Sequence, residues 1–423
     1  MHLLLFIFYL IALSFLVTRS RFLSSSRLSP YVLVSVFILY SAAGCLHVWI
    51  AYHYFPHQGD IWNLYRDSLQ MKKEMLADFR AFSAYYLPTS FTIDMTGKYS
   101  GWSYLQYQGI RTIHLIFNFL SFDNLYINTL LFCFVTLWGK IALFRMLDGI
   151  TGGNNITVPL LAIALPGTLF WTSVVHKEGI LFAALGFLSY CCWKLLNNKG
   201  GGKDIAVIML SLAAIFFTRK ILLVSLLPAL ALWVISAKTA YRTKYIFLAV
   251  TIGSFALLAV LAAIHPAFDI LYQLSDRQVI FQQMDGASRM KLPLLEQGWK
   301  SLLAVFPYAV FNGLFMPLPG TGGQILYAFF GLEIVMIWII VAYTVYYLYI
   351  KKKSIWFSGF DLYCLIFSLS ALLLIGYVIP FAGAIVRYKS ICYPFLLIPF
   401  MKLLQAHPLM RRWHERIKAK ILR

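Results

Sequence analysis

Apolar runs of about 20 residues recur from one end of this 423-residue chain to the other. Each is long enough to cross the roughly 30 Å hydrocarbon core of a bilayer as a helix. A soluble chain of this size needs a polar skin over its core, whereas here 61% of residues are hydrophobic, 12% are charged and the mean hydropathy is +0.75. A soluble enzyme is excluded, and the reading is an all-α polytopic membrane protein forming a single integral membrane domain, 1–423. Eleven spans fit the pattern, at roughly 2–18, 31–54, 125–147, 157–174, 179–195, 205–218, 221–237, 245–264, 326–350, 361–381 and 389–405. The long apolar stretch around Arg219-Lys220 is divided in two, because adjacent charges at a bilayer centre are costly and a tight turn at an interface is not.

A formal charge of +20 would point to nucleic acid in a soluble chain. In a membrane chain Lys and Arg collect on the cytoplasmic side and face anionic lipid, so membrane lipids and not nucleic acid are the expected partner of this surplus. Of the 36 bases, 21 fall in short connections and the C-terminal tail of one side, among them Arg19, Arg21, Arg27, Lys140 and Lys351. That side is taken as cytoplasmic. Of the 16 acids, 11 lie on the other side. The N-terminus is then outside, the first run is a retained helix, and the basic tail 406–423 is cytoplasmic. The six cysteines sit inside apolar runs without zinc-site spacing and read as packing residues.

Two outer segments exceed ordinary turns, 55–124 and 265–325, and structureless connections beyond about 15 residues usually carry function. The first interleaves aromatic and charged residues, with amphipathic stretches near 61–82 and 110–121 expected along the membrane surface. The second holds an apolar stretch at 301–318, interrupted by Pro307 and Pro317. It reads as a surface or re-entrant element.

Ionisable residues at outer helix ends form a short list: Asp60, His176, Lys177, Glu178, Arg219, Lys220, Arg387 and Lys389, with Tyr388 between the last two. Asp60 follows a turn set by Pro56 and Gly59, and is placed either as a general base near the bilayer surface or as the cap of the next helix. The segment Leu-Pro-Gly-Thr-Leu-Phe-Trp-Thr-Ser-Val-Val-His-Lys-Glu-Gly (165–179) carries a proline kink and then three ionisable side chains. There His176 and Lys177 face an anion, or Lys177 pairs with Glu178. Arg219-Lys220 and Arg387-Tyr388-Lys389 each bring two bases to the outer end of a span, a charge density suited to phosphate or pyrophosphate. Tyr99, Trp102, Tyr104 and Tyr107 are either a sugar-stacking platform or part of an interface belt. Glu333 is the acid placed within a span to couple an ion. There is no Walker lysine loop, no paired Cys/His set, no Gly-x-Ser-x-Gly elbow and no His-Glu-x-x-His, so neither metal nor cofactor is expected. His114, His265 and His407 stand alone and read as structural or solvated.

These residues resemble the GT-C class of bacterial integral-membrane glycosyltransferases that depend on polyprenyl-phosphate sugars. The likeness rests on Gly59-Asp60 in the first large outer loop, on 165–179 as its most specific part, and on Gly-Ala-Ile-Val-Arg-Tyr-Lys (383–389) before Tyr-Pro-Phe (393–395). It spans about 50–400. The resemblance implies a GT-C-like fold in the bacterial cytoplasmic (inner) membrane, a lipid-linked sugar donor, a glycan or lipid acceptor, and transfer on the outer face. It also implies Asp60 as catalytic base and Lys177, Arg219 and Arg387 as donor-phosphate contacts, with Lys220 and Lys389 beside them and His176, Glu178 and Tyr388 in support. Two departures stand out: the span before 31 is additional to the simplest family arrangement, and the first loop lacks the paired acids of some members. Membrane polysaccharide polymerases resemble the same pattern, with an outward N-terminus and an early Gly-Asp. A lipid-linked sugar flippase would call for charges near mid-membrane and usually a pseudo-repeat.

Overall fold

The computed structural model describes residues 2–54, 59–86, 101–153, 156–239, 241–284, 286, 288–321, 325–352, 356–408, 410–412 and 414–415. Among these, the chain is helical throughout: α1 (His2–Arg19), α2 (Arg21–Ser24), α3 (Pro30–Tyr54), α4 (Asp60–Ala77), α5 (Phe79–Tyr86), α6 (Gly101–Ser121), α7 (Leu125–Ile150), α8 (Thr157–Ala164), α9 (Pro166–Thr172), α10 (Lys177–Leu196), α11 (Gly202–Arg219), α12 (Leu222–Lys238), α13 (Thr243–Ile264), α14 (Ile270–Gln282), α15 (Trp299–Leu314), α16 (Ile325–Ile350), α17 (Gly359–Val378), α18 (Ala382–Lys389) and α19 (Tyr393–Leu403).

Seven of the described helices, α1, α3, α7, α10, α13, α16 and α17, are long and apolar enough to cross a membrane, and α18 with α19, bent by 53°, makes an eighth if taken as one span. Of the other three expected spans, 205–218 and 221–237 are the single helices α11 and α12, and one is broken. Pro166 lacks an N–H and forces Leu165 out of helical geometry, so 157–174 is two short helices, α8 and α9. The expected turn at Arg219-Lys220 separates α11 from α12. α12 has 17 residues, about 26 Å at about 1.5 Å per residue. The long outer segments are helical too. The 55–124 segment supplies α4, α5 and α6, and 265–325 supplies α14 and α15, so the broken apolar stretch at 301–318 is helical as far as Leu314, with Pro307 inside the helix. The basic tail beyond 415 lies outside the described residues.

The described residues divide into two compact units, one from 1–142 and 169–187 and the other from 143–168 and 188–415. In the first unit, Gly59 at φ 92° starts α4 in a conformation open to glycine. Leu64, Ser68 and Met71, spaced by four and three, form the buried face of α4. That face meets α6: Leu64 clusters with Ile110, Phe132 and Val175. Polar pins fix the register, with Asn118 Nδ2 donating to Ser68 Oγ (2.9 Å), Asn128 Nδ2 to Asn118 Oδ1 (2.6 Å) and Lys72 paired to Asp123 (2.7 Å).

Between α9 and α10 the backbone leaves helical geometry over 173–176, and apolar surroundings demand partners for its freed carbonyls. Neighbouring side chains supply them: the Tyr40 hydroxyl donates to Thr172 O, the Cys133 thiol to Ser173 O at 3.1 Å, and His47 Nδ1 lies 3.0 Å from Phe170 O. Lys140, counted from the sequence among the cytoplasmic bases, is instead fully buried. Its ammonium lies 4.4 Å from the Tyr40 ring centre and 4.5 Å from that of Phe182, a cation–π setting that replaces hydration in part.

In the second unit α15 and α17 approach at glycine: a Cβ on Gly313 would lie 2.3 Å from Leu372 O, and one on Gly376 2.0 Å from Ala309 O. Trp233 of α12 stacks on Tyr363 of α17 with centroids 5.1 Å apart. Glu333 of α16, expected to couple an ion, has a backbone partner, accepting from the Gly167 N–H with both carboxylate oxygens at 3.0 Å. It satisfies a donor at the start of α9. Glu333→Leu leaves that N–H buried and unpaired, an expected loss of about 1–3 kcal/mol, whereas Glu333→Gln keeps an acceptor. Thermal unfolding of the purified protein reads the difference.

Candidate functional site

The first unit brings Asp60 together with a segment more than one hundred residues away. Asp60 is the first residue of α4, so it is not the cap; Gly59 holds that position and no side chain caps the helix. Its carboxylate is instead directed at His176, with Oδ2 3.5 Å from Nε2. The other ring nitrogen, Nδ1, contacts Oε2 of Glu178. Burial falls steeply along this chain of groups: the side chain of Asp60 is 56% exposed, that of His176 6% and that of Glu178 0%. An imidazole bridging two carboxylates donates to both only when both nitrogens carry hydrogen. The arrangement presents one carboxylate outward and keeps the second inside.

Lys177 has a partner on another helix. Lys177 Nζ donates to Gln106 Oε1 of α6 at 2.9 Å. Tyr107, the one expected sugar-stacking residue whose side chain is described, donates to Asp67 Oδ2 at 2.6 Å and carries the Arg111 guanidinium 5.3 Å from its ring centre. Burial, with Asp67 beside it, holds the phenol above its ordinary range, so it stays protonated. Tyr99, Pro56 and the side chains of Trp102 and Tyr104 lie outside the described residues.

The second unit holds the other basic candidates, Arg219, Lys220, Arg387 and Lys389. The Arg219 guanidinium lies 3.4 Å from the Tyr388 ring centre and that of Arg387 5.1 Å from it, with an Arg387 Nη2 to Tyr388 Oη contact of 3.3 Å. Residues 168 positions apart thus share one aromatic ring. Lys220, next to Arg219, is half-buried, and burial lowers its affinity for a proton; Arg277 of α14 adds to the fall and Asp276 opposes it. Lys389 departs from the expected role. It is fully buried, and its ammonium donates to Asn312 O at 2.7 Å and to Met316 O, so it satisfies carbonyls at the end of α15 and faces no anion.

No family model matches the sequence, and no curated protein or solved structure matches it either. The residues themselves carry the functional reading.

Two groups near these sites were not singled out by the sequence. Arg277 lies in an ordinary-looking polar helix of the second outer segment, and nothing in its local pattern marks it. His114, read as structural or solvated, is fully buried on α6, 6.1 Å from the Tyr65 ring and close enough to His176 to feel its charge. Burial drives its imidazole down to about 3; the Val175 carbonyl opposes and His176 adds to the fall. The folded state therefore binds fewer protons than the unfolded state between about pH 3 and the ordinary 6.5. Stability from this group is full above pH 6.5 and falls by up to about 1.4 kcal/mol per unit as pH drops through that window. Melting temperature measured from pH 7.5 to 5 is expected to decline, and His114→Gln to flatten the decline.

Proposed function

We propose that the chain is a GT-C-like membrane glycosyltransferase. It moves a sugar from a polyprenyl-phosphate-linked donor to an envelope glycan or lipid acceptor on the outer face of the bacterial cytoplasmic membrane, with the N-terminus outside and the C-terminus cytoplasmic. The observation that carries this reading is the pair of guanidiniums on Tyr388. Arginine presents planar paired donors that match phosphate oxygens, and fixed positive charge is what a departing phosphate requires. Asp60 supplies the complementary chemistry. The acceptor oxygen attacks the anomeric carbon while its proton passes to the Asp60 carboxylate; the bond from that carbon to the phosphate oxygen breaks, and its electron pair leaves with the phosphate. In this reading the step uses no cofactor or metal.

Arg219→Ala or Arg387→Ala is expected to lower turnover of a polyprenyl-phosphate sugar in membranes about 100-fold. Arg387→Lys recovers part of the loss, since it keeps charge but not paired donors. Lys389→Met is expected to lower thermal stability, because it strips the carbonyls of α15 of their donor.

Mass spectrometry of lipid-linked intermediates and envelope glycans from a deletion strain tests the reading. A glycan shortened by one sugar supports it, and unaltered glycans overturn it. Accumulated unpolymerised repeats would replace it with the second reading, a polysaccharide polymerase that acts on O-antigen or exopolysaccharide repeats with the same groups. A flippase or transporter is disfavoured because Glu333, its mid-span acid, is committed to the Gly167 N–H.

A further inference from the structure

We propose that His176 and Glu178 are positioning residues for Asp60, the buried Glu178 carboxylate fixing the imidazole and the imidazole holding the exposed Asp60 carboxylate toward the acceptor. This rests on the reading of Asp60 as the base. An acid as enclosed as Glu178 must be paired or neutral, and it meets His176 Nδ1. With Nδ1 taken, Nε2 is the nitrogen left for Asp60 Oδ2 at 3.5 Å. The three groups come from separate places, Asp60 from the start of α4, His176 from the unwound residues before α10, and Glu178 from the first turn of α10.

In this proposal the charge sits on His176. From α6, His114 is kept neutral by burial, and Tyr107, within electrostatic reach of Asp60, is kept protonated. Lys177, next to His176, donates to Gln106. An imidazolium between two carboxylates gives the set a net single negative charge, carried outward by Asp60. In the transfer step the acceptor proton ends on Asp60, leaving the imidazolium paired with Glu178 and the set neutral. The order is the reverse of a serine-hydrolase triad, because here the carboxylate faces the substrate and the imidazole orients it.

The chain has nine histidines, few enough for nitrogen-15 spectroscopy of ring-labelled full-length protein in lipid bilayers, with His176→Gln identifying its signal. Both nitrogens of His176 are expected to carry hydrogen at pH 7.5, and Glu178→Gln is expected to return the ring to a neutral tautomer. A neutral His176 in the wild type, or one indifferent to Glu178→Gln, overturns the inference. In transfer assays both variants are expected to lower turnover about 10- to 100-fold with donor KM unchanged. Loss of the imidazolium moves the acidic limb of the pH–rate profile to higher pH. A variant profile that keeps the wild-type acidic limb also overturns it. The spectra report on the three groups even if the wild type transfers no sugar, which would defeat the functional reading instead.

Discussion

Membranes carrying Asp60→Asn are expected to transfer sugar about 10²- to 10⁴-fold more slowly than wild type while containing the same amount of protein. Asparagine keeps the size of the side chain and an oxygen to accept from His176, but it has no carboxylate to receive the acceptor's proton. The structural cost is small. Asp60 does not cap α4, and its side chain is 56% exposed, so the replacement removes a favourable charge from a helix start, worth about 0.3–1 kcal/mol. Activity and abundance should therefore separate, which a purely architectural role would not allow. Asp60→Glu, with the carboxylate carried further out, is expected to retain partial activity. Full transfer by Asp60→Asn would remove Asp60 as the base and leave the chain of groups through His176 without a catalytic purpose.

Gly186→Ala and Gly376→Ala are expected to abolish accumulation of folded protein. A Cβ on Gly186 of α10 would sit 2.1 Å from Gly139 O of α7, and one on Gly376 of α17 would sit 2.0 Å from Ala309 O and 2.7 Å from Gly313 N of α15. The obstacle in each case is backbone, which cannot rotate aside, so the helices must part and lose contacts along their length. Lipid tails solvate apolar side chains as well as protein does, which leaves close packing as the main attraction between such helices. The expected cost is at the upper end of overpacking, about 3 kcal/mol or more. Gly253→Ala in α13 is the internal control, because nothing lies within 4 Å of its added methyl. It should be neutral or slightly stabilising through helix propensity. Yield of monodisperse protein and its melting temperature read all three; a wild-type melting curve for Gly186→Ala would mean the helices are not held this closely.

Much of the candidate chemistry was legible one residue at a time. Asp60, His176, Lys177, Glu178, Arg219, Lys220, Arg387 and Lys389 all drew attention because charge at the end of an apolar run is costly and therefore informative. Their partners were not legible. The meeting of Glu178 with His176, and of Lys177 with Gln106, depends on the unwound 173–176 backbone and on where α6 lies. Lys389 shows the limit most clearly: from its position it belongs with Arg387, yet one turn face sends Arg387 to Tyr388 and the other sends Lys389 to the carbonyls closing α15.

The apolar runs by themselves determined that the chain is a polytopic helical membrane protein, since a bilayer admits few other ways to bury backbone polar groups. They also located the break at Pro166 and the turn at Arg219-Lys220, because a missing N–H and a pair of adjacent charges act locally. Seven described helices, or eight with the bent pair, are long and apolar enough to cross. Only the tertiary structure decided that Asp60 meets His176 and that Arg219 and Arg387 share Tyr388. The physical reason is the same in each case. Periodicity and hydropathy report on how a segment meets its solvent, whereas the pairing of charges distant in sequence depends on which helix faces come into contact.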